Sequence, residues 1–278
     1  MNLVDKFFNV LKHHGLWATI QKTSRVTLNS ISSQGFVNRR RLTLAKQVNA
    51  IFNGVIAYGP FKGFRFGNQS WWGFSDRAGQ LLGIYEKEVL DVIANPPKTH
   101  STFIDLGAAD GYYGVGVLVN HLYQKSYCYE ISQRGCETIE NNAKLNQVLD
   151  RIKIRGIAGP GFQNELIADG VDLSKCVLLC DIEGGEFDLF NSEMLEAFKG
   201  SIVIVEVHDS FVENGHVKLD ELKKNASQYF NVSGLTTTAR DLYPFKELHS
   251  FSDTDRWLIC SESRSHVMYW LKFEPKNI

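Results

Sequence analysis

Carboxylates close three short apolar runs of the sequence, and a histidine follows a fourth. Asp105 and Glu130 stand at the first two run ends, Asp181 and Glu183 at the third, and His208 at the fourth. A carboxylate binds ammonium groups and sugar hydroxyls, and a histidine with an ordinary pKa of about 6.5 accepts a proton near neutral pH. Together these residues could hold a cationic ligand and deprotonate an acceptor hydroxyl, if the fold brings them together.

A glycine-rich turn begins inside the first of these segments. Residues 105–111 read Asp-Leu-Gly-Ala-Ala-Asp-Gly. A P-loop needs a Gly-Lys-Ser/Thr ending and a dinucleotide site needs Gly-x-Gly-x-x-Gly, and neither pattern is present. The turn has no basic residue and contains Asp110, so it repels phosphate. It suits a ligand that carries an ammonium group and no phosphate, and S-adenosylmethionine has both properties.

Glu130 strengthens this interpretation. It follows the turn by about 20 residues, the spacing at which nucleotide-binding units place the acid that binds both ribose hydroxyls. The sequence therefore predicts a ribose contact at Glu130.

Four segments together resemble the FkbM-type family of class I S-adenosylmethionine-dependent methyltransferases. They are the turn at 105–111, Tyr-Glu-Ile at 129–131, Cys-Asp-Ile-Glu-Gly-Gly-Glu at 180–186 and Val-Glu-Val-His at 205–208. The third segment is the most specific for this family. The resemblance covers residues 83–260 and implies a methyltransferase fold. By the same likeness, Glu86 faces the methionine end of the cofactor.

The resemblance and the motifs define a predicted site. The predicted cofactor-binding residues are Glu86, Asp105, Gly107, Ala108, Ala109, Gly111, Tyr112, Glu130, Ile131, Ala158 and Asp181. The predicted catalytic residues are His208 as general base, with Asp181 and Glu183 on the adjacent strand end. A divalent ion, Mg²⁺ or Mn²⁺, is the alternative for this group, because carboxylates and a histidine at converging strand ends suit a metal that lowers the pKa of a hydroxyl.

Alternating strands and helices must position these residues. The pattern predicts a Rossmann-like, doubly wound α/β fold with a mostly parallel seven-stranded sheet, in which parallel strands share a carboxyl edge. We predict a methyltransferase domain at 81–278 and a basic appendage of helices and a β-hairpin at 1–80. Strands are expected at 102–106, 126–131, 151–157, 175–182, 201–207, 232–238 and 256–261, helices at 2–14, 38–52, 81–94, 132–146 and 217–230, and a hairpin at 54–66.

Composition limits the class of protein. Hydrophobic content of 44% and charged content of 22% are those of a globular protein, and no apolar run approaches the roughly 20 residues that span a bilayer. Five cysteines lack Cys-x-x-Cys spacing, which indicates reduced thiols and a cytoplasmic location.

The first quarter of the chain is basic. Residues 1–66 carry ten Lys and Arg and one acid, Asp5, whereas the remainder carries a net charge of −10. Such an excess implies an anionic partner, which could be lipid, a phosphorylated substrate or another chain. Residues 2–14 have one apolar helical face, which suits packing on the domain, a homodimer contact or a peripheral helix at the inner membrane face. Nucleic acid is not an expected partner.

The expected activity is O-methylation of a sugar, nucleotide-sugar or glycan acceptor, as in polysaccharide biosynthesis. The aromatics Trp71, Trp72 and Phe74 are either core residues or contacts to a sugar face or adenine. Two alternatives remain at this point, a nicotinamide-dependent oxidoreductase and a non-catalytic binding module.

Overall fold

Seven strands form one sheet in the computed structural model, which describes residues 33–262, 264 and 268–276. The strands are β1 (Thr102–Leu106), β2 (Lys125–Tyr129), β3 (Ile152–Arg155), β4 (Cys176–Cys180), β5 (Ile202–Glu206), β6 (Phe230–Thr236) and β7 (Tyr269–Pro275). Their spatial order is β3-β2-β1-β4-β5-β7-β6. The first five strands run parallel, and β7 runs antiparallel to both β5 and β6. This confirms the predicted Rossmann-like, mostly parallel seven-stranded sheet.

Helices cover both faces of the sheet. They are α1 (Ser33–Phe52), α2 (Arg77–Leu81), α3 (Lys87–Ile93), α4 (Tyr112–Val119), α5 (Gln133–Leu145), α6 (Phe162–Ala168), α7 (Glu186–Leu189), α8 (Ser192–Ala197), α9 (Gly215–Ala226) and α10 (Asp253–Cys260). Short 3₁₀ turns lie at Leu149–Arg151, Asp209–Phe211 and Lys246–Leu248.

Two apolar cores lie on opposite faces of the sheet because strand side chains alternate. In β1, Phe103 packs into the core that holds α1 to α5, and Ile104 packs into the core that holds α6 to α9. Both side chains are 0% exposed. Strands buried on both faces are expected in a parallel sheet.

The chain reverses its order of strand addition between β1 and β4. Strand β1 pairs with β2 on one side and with β4 on the other, in parallel register. In open α/β sheets the crevice outside the carboxyl ends at such a point is the usual ligand site. The residues that follow β1, β2 and β4 are therefore brought to one edge.

The late strand predicted at 256–261 is wrong, since Asp253–Cys260 is the helix α10. The Ser252 side chain accepts a hydrogen bond from the Asp255 backbone N–H, and Asp253 and Asp255 lie in the first turn. Both features favour a helix start. The last strand is instead β7, whose Tyr-Trp-Leu-Lys-Phe alternation is a strand signal.

The helix predicted at 81–94 begins only at Lys87, because α2 ends at Leu81 and residues 82–86 are not helical. Glu86 adopts a left-handed conformation with φ of 45° between α2 and α3. Gly83 has φ of 65°, and a Cβ there would lie 2.5 Å from the carbonyl oxygen of Tyr58. The close approach of two backbone segments therefore interrupts the helix.

The described part of the predicted appendage packs against the domain. Leu44 and Val48 of α1 and Phe64 are fully buried in the core that also contains Phe103. The predicted hairpin at 54–66 has one antiparallel bridge, Val55 to Arg65, and no regular strand. The helix predicted from residue 38 begins at Ser33. The domain boundary near residue 80 stays a prediction.

Several predictions concern residues at the start of the chain. The apolar helix at 2–14 lies outside the described residues. Within the described ranges, no helix combines the length and hydrophobicity that crossing a membrane requires. All five cysteines are free thiols, as expected.

Candidate functional site

A cavity of about 410 Å³ opens at the carboxyl edge of the sheet, where β1, β2 and β4 end. Asp105, Glu130 and Asp181, which come from the ends of these three strands, all line it. The site thus occupies the crevice that the strand order predicts.

Glu130 is held in place by backbone donors. The Ala109 N–H donates to its Oε2 at 2.9 Å, and the Ser132 N–H donates to its Oε1 at 2.7 Å. A carboxylate oxygen accepts more than one hydrogen bond, so each oxygen keeps capacity for a ligand hydroxyl. Gly135 permits this arrangement, because a Cβ there would lie 2.5 Å from the Glu130 side chain.

The glycine-rich turn connects β1 to α4 and borders the cavity. Gly107 has φ of 87°, and a Cβ there would lie 1.8 Å from the carbonyl oxygen of Asp181. The glycine is therefore required for the approach of the turn to the end of β4. The Gly114 N–H at the start of α4 donates to the buried Asp105 at 3.0 Å.

Asp110, inside the turn, anchors a separate aromatic segment. Its carboxylate accepts from the Ser70 hydroxyl and from the Trp71 and Trp72 N–H groups, the latter at 2.7 and 3.2 Å. Both indole side chains line the cavity and are partly exposed, Trp72 at 60%. The aromatic segment is thereby fixed to the mouth of the cavity.

Glu86 and Arg264 form a second network. The Tyr113 hydroxyl donates to Glu86 at 2.6 Å, and Arg264 donates to Glu86 at 2.5 Å and also to Glu206. Arg264 makes a third ion pair with Glu262 at 3.0 Å. Burial and the neighbouring Glu206 charge raise the pKa of Glu86 to about 8.

His208 lies just outside the cavity wall, behind Asp181. Its side chain is 2% exposed, and its Nε2 lies 3.5 Å from Asp181, 3.7 Å from Glu183 and 3.8 Å from Glu206. Burial opposes protonation, but the carboxylates of Glu186, Glu206 and Glu183 outweigh it and raise the pKa of His208. Burial and the Glu206 charge raise the pKa of Asp181 well above its ordinary value.

Glu186 fixes the loops on either side of His208. It is 0% exposed, and it accepts from the Gly184 N–H at 2.8 Å and from the His208 N–H at 3.0 Å. It therefore serves as a brace between the loops that follow β4 and β5, not as a cavity group.

Backbone strain is concentrated at the cavity. Seven non-glycine residues among those described have positive φ. Three of them, Glu86, Ala109 and Glu183, line the cavity. Left-handed non-glycine residues of this kind are enriched at functional sites, where the surrounding structure maintains the strain.

The charged residue types in the cavity wall are all acidic. Among the lining residues that the structure describes there is no lysine, arginine or histidine. The lining carboxylates are Asp76, Glu86, Asp105, Asp110, Glu130, Asp181, Glu183 and Asp188.

The structure brings together most of the residues selected from the sequence. Those lining the cavity are Glu86, Asp105, Gly107, Ala108, Ala109, Tyr112, Glu130, Ile131, Ala158, Asp181 and Glu183. Gly111 lies outside it, as the left-handed residue that starts α4 against Ile139. His208 contacts the site from behind.

Sequence reasoning missed Arg264 and Glu262, and it did not predict that Asp76 lines the cavity. Arg264 and Glu262 follow α10, which was predicted as a strand, so no pattern placed them near Glu86. Asp76 is in a loop whose only signal was its aromatic residues. It pairs with Arg41 at 2.7 Å.

No known family profile matches the chain, and no curated protein matches it either. Among solved structures, the delta-N METTL16 MTase domain is 15% identical, with 83% of this chain and 96% of that chain covered at a TM-score of 0.47. Precorrin-6y C5,15-methyltransferase from Geobacter metallireducens is 13% identical, with 77% of this chain and 94% of that chain covered at a TM-score of 0.43. The B. subtilis tRNA methyltransferase TrmK is 12% identical, with 69% of this chain and 67% of that chain covered at a TM-score of 0.42. Likenesses this distant say nothing about the substrate.

Proposed function

We propose that this chain is an S-adenosylmethionine-dependent methyltransferase that methylates a hydroxyl of a sugar or glycoconjugate. The observation that carries the proposal is the acidic lining of the cavity, which has eight Asp and Glu side chains and, within the described ranges, no basic side chain. A dinucleotide brings a pyrophosphate that such a wall repels. A sulfonium compound with an ammonium group is attracted instead. A nicotinamide cofactor is therefore disfavoured.

The adenosyl part of the cofactor is assigned to the β2 end of the cavity. Glu130 is held there with free acceptor capacity for the two ribose hydroxyls. Ile131, Ile157 and Ala158 provide the apolar wall that an adenine ring requires, and Ile131 is 78% exposed. The methionine part then lies over the turn at Gly107, close to the acidic Glu86 and Asp181.

The acceptor is assigned to the side of Asp181 and Glu183. Methyl transfer from a sulfonium needs nucleophile, carbon and sulfur in line, and a hydroxyl nucleophile must also lose its proton. The group formed by Asp181, Glu183 and His208 is the proposed proton acceptor. Any phosphate of a nucleotide-linked acceptor would lie outside the acidic wall.

The resemblance to the FkbM-type family supports the sugar acceptor. The cavity mouth adds Trp71 and Trp72, whose exposed indole faces suit the apolar face of a sugar ring. A cytoplasmic location, a homodimer and a peripheral membrane contact are proposed on the sequence alone. A non-catalytic binding module is the remaining alternative, and the strained acidic residues of an intact cavity weigh against it.

Calorimetric titration with S-adenosylhomocysteine and with NADH tests the proposal. We expect the first to bind and the second not to bind. Glu130→Gln should weaken S-adenosylhomocysteine binding by about tenfold to a hundredfold, since a hydrogen bond to a charged group contributes about 1.5–3 kcal/mol. Glu137→Gln, an exposed acid on α5, is the control. Equal affinity of the two variants would show that Glu130 is not the ribose contact.

Turnover is tested separately, with a methyl-donor assay against free sugars, nucleotide sugars and glycans. Cofactor binding without methylation of any hydroxyl acceptor would favour another acceptor chemistry or the binding-module reading.

A further inference from the structure

Four donor atoms converge where β4 and β5 end, at the cavity wall and just behind it. His208 Nε2 lies 3.5 Å from Asp181 Oδ1 and 3.8 Å from Glu206 Oε2, and Glu183 Oε2 lies 3.7 Å from the same nitrogen. The donor atoms of Asp181, Glu206 and His208 all lie within 4.8 Å of one another. The three separations from His208 Nε2 are longer than ordinary hydrogen bonds.

Two of these side chains have buried polar atoms without a good hydrogen bond. Asp181 Oδ1 is buried and makes no hydrogen bond, and His208 Nδ1 has only Glu186 Oε1 nearby, at 3.4 Å. The His208 residue is 1% exposed, so solvent does not satisfy its ring. Buried polar atoms are rarely left in this state. A cation between the carboxylates and Nε2 would satisfy Asp181 Oδ1 and reduce the repulsion between the acids.

The surroundings of His208 match those of a metal ligand. Its Nδ1 faces Glu186 Oε1 at 3.4 Å, while its Nε2 faces the three other carboxylates. A metal-ligating histidine nearly always presents its second ring nitrogen to a carboxylate, a carbonyl or water, which fixes the ring orientation. Glu186 also holds the His208 backbone N–H at 3.0 Å.

Adjacent strand ends place the ligands. Cys180 of β4 pairs with Val205 of β5, so Asp181 and Glu206 occupy neighbouring positions at the sheet edge. Glu206 divides its two oxygens, because Oε1 accepts from Arg264 and Oε2 faces His208. The Arg264 charge is itself shared with Glu86 and Glu262. Arg264 therefore does not neutralise Glu206 fully, and Glu206 Oε2 remains an acceptor for a cation.

We propose that Asp181, Glu206 and His208, together with Glu183, form a binding site for a divalent transition-metal ion such as Mn²⁺. An ion bonded to its ligands at about 2.1 Å and at right angles holds adjacent donor atoms about 3 Å apart. The carboxylate oxygens now lie 3.5 and 3.8 Å from His208 Nε2, so the donor atoms need to move only slightly closer together to bind it. An imidazole nitrogen among carboxylate oxygens favours a first-row transition ion over Mg²⁺ or Ca²⁺, which prefer oxygen ligands alone.

This inference deepens the proposed function and rests on it only for the catalytic role. An ion bound beside Asp181 would act as a Lewis acid on the acceptor hydroxyl and favour its ionisation. As a ligand of that ion, His208 would contribute from behind the wall. Ion binding itself is measurable without any methyl donor or acceptor.

The test is Mn²⁺ binding to the full chain after removal of metals with a chelator. Electron paramagnetic resonance of free Mn²⁺ and calorimetry should both show one site per chain. Glu206→Gln keeps the side-chain shape and should weaken Mn²⁺ binding at least about tenfold, as should His208→Gln. Glu213→Gln removes an exposed acid in the following loop and should bind as wild type does. Circular dichroism and melting curves confirm that each variant is folded.

Two results would overturn the inference. One is absence of Mn²⁺ binding by the folded wild-type chain, and the other is equal binding by the Glu206, His208 and Glu213 variants. Displacement of Mn²⁺ by an equal concentration of Mg²⁺ would overturn the preference for a transition metal. Since S-adenosylhomocysteine binding is measured in a separate titration, a failed metal site leaves the methyltransferase proposal standing, and the reverse also holds.

Discussion

Asp105 is a buried carboxylate whose ionisation the fold resists. Burial raises its pKa to about 7, although the Gly114 N–H opposes this by donating to it. An unfolded aspartate has a pKa of about 3.9. Between these values the folded state holds a proton that the unfolded state has released, so the contribution of Asp105 to stability falls as pH rises from about 4 to 7.

Asp105→Asn removes this ionisation and can retain the acceptor for Gly114. The melting temperature of the variant minus that of wild type should therefore increase from pH 5 to pH 8, by at least about 3 °C. Thermal melts in matched buffers measure it, with Asp150→Asn, an exposed acid, as the control. A difference that is flat or decreases with pH would show that Asp105 is already ionised in the folded state at pH 5.

At the scale of elements, the aromatic segment at 70–73 depends on the glycine-rich turn through Asp110. One carboxylate accepts from Ser70, Trp71 and Trp72, so its removal leaves two backbone N–H groups without their acceptor. Asp110→Ala should release the segment from the mouth of the cavity. We expect increased quenching of tryptophan fluorescence by acrylamide and about tenfold weaker S-adenosylhomocysteine binding.

The matched variant for this test is Asp150→Ala, which removes an exposed acid far along the chain from the turn. If the two variants show the same acrylamide quenching and the same affinity for S-adenosylhomocysteine, the indoles are positioned by their own packing. Asp110 would then have no role in shaping the site.

At the scale of the whole molecule, Arg41 joins α1 to the cavity wall and to the end of α10. It is 5% exposed, pairs with Asp76 at 2.7 Å and donates to the carbonyl of Ser261. The neighbouring Arg40 pairs with Asp255, so both arginines serve as intramolecular ties.

Arg41→Met should lower the free energy of unfolding by about 3 kcal/mol, because it leaves Asp76 without its partner in a partly buried position. Urea denaturation measures the change. Lys46→Met on the exposed side of the same helix is the control and should change it by less than about 0.5 kcal/mol. Similar midpoints for the two variants would contradict a structural role for Arg41.

The basic start of the chain is a separate prediction at this scale. Residues 1–32 contain Lys6, Lys12, Lys22 and Arg25 against Asp5, and lie outside the described residues. Each basic residue near an anionic surface contributes about 1 kcal/mol, so we expect salt-sensitive attachment to anionic liposomes.

Co-sedimentation should compare the full chain with one that begins at Ser33. Removing α1 as well would expose the core, since Leu44 and Val48 are 0% exposed. Equal sedimentation of the two chains would exclude a membrane role for residues 1–32. Loss of a dimer in light scattering on truncation would support the subunit contact instead.

The sequence by itself determined the fold class and the edge at which the site lies. The apolar runs in β1, β2 and β4 predict buried parallel strands. Parallel strands place Asp105, Glu130 and Asp181 at one edge of the sheet. These are local patterns, which a single sequence displays directly. Where local signals were mixed, as in α10, the prediction failed because a helix start was read as a strand.

Only the tertiary structure decided what each charged group does there. His208 lies behind Asp181, and Asp110 accepts hydrogen bonds from the aromatic segment. Glu186 connects the loops that follow β4 and β5. The tertiary structure also brought Arg264 to Glu86 across almost the whole length of the domain. Contacts between residues far apart in sequence depend on packing and shared hydrogen bonds, and no spacing within one segment encodes them.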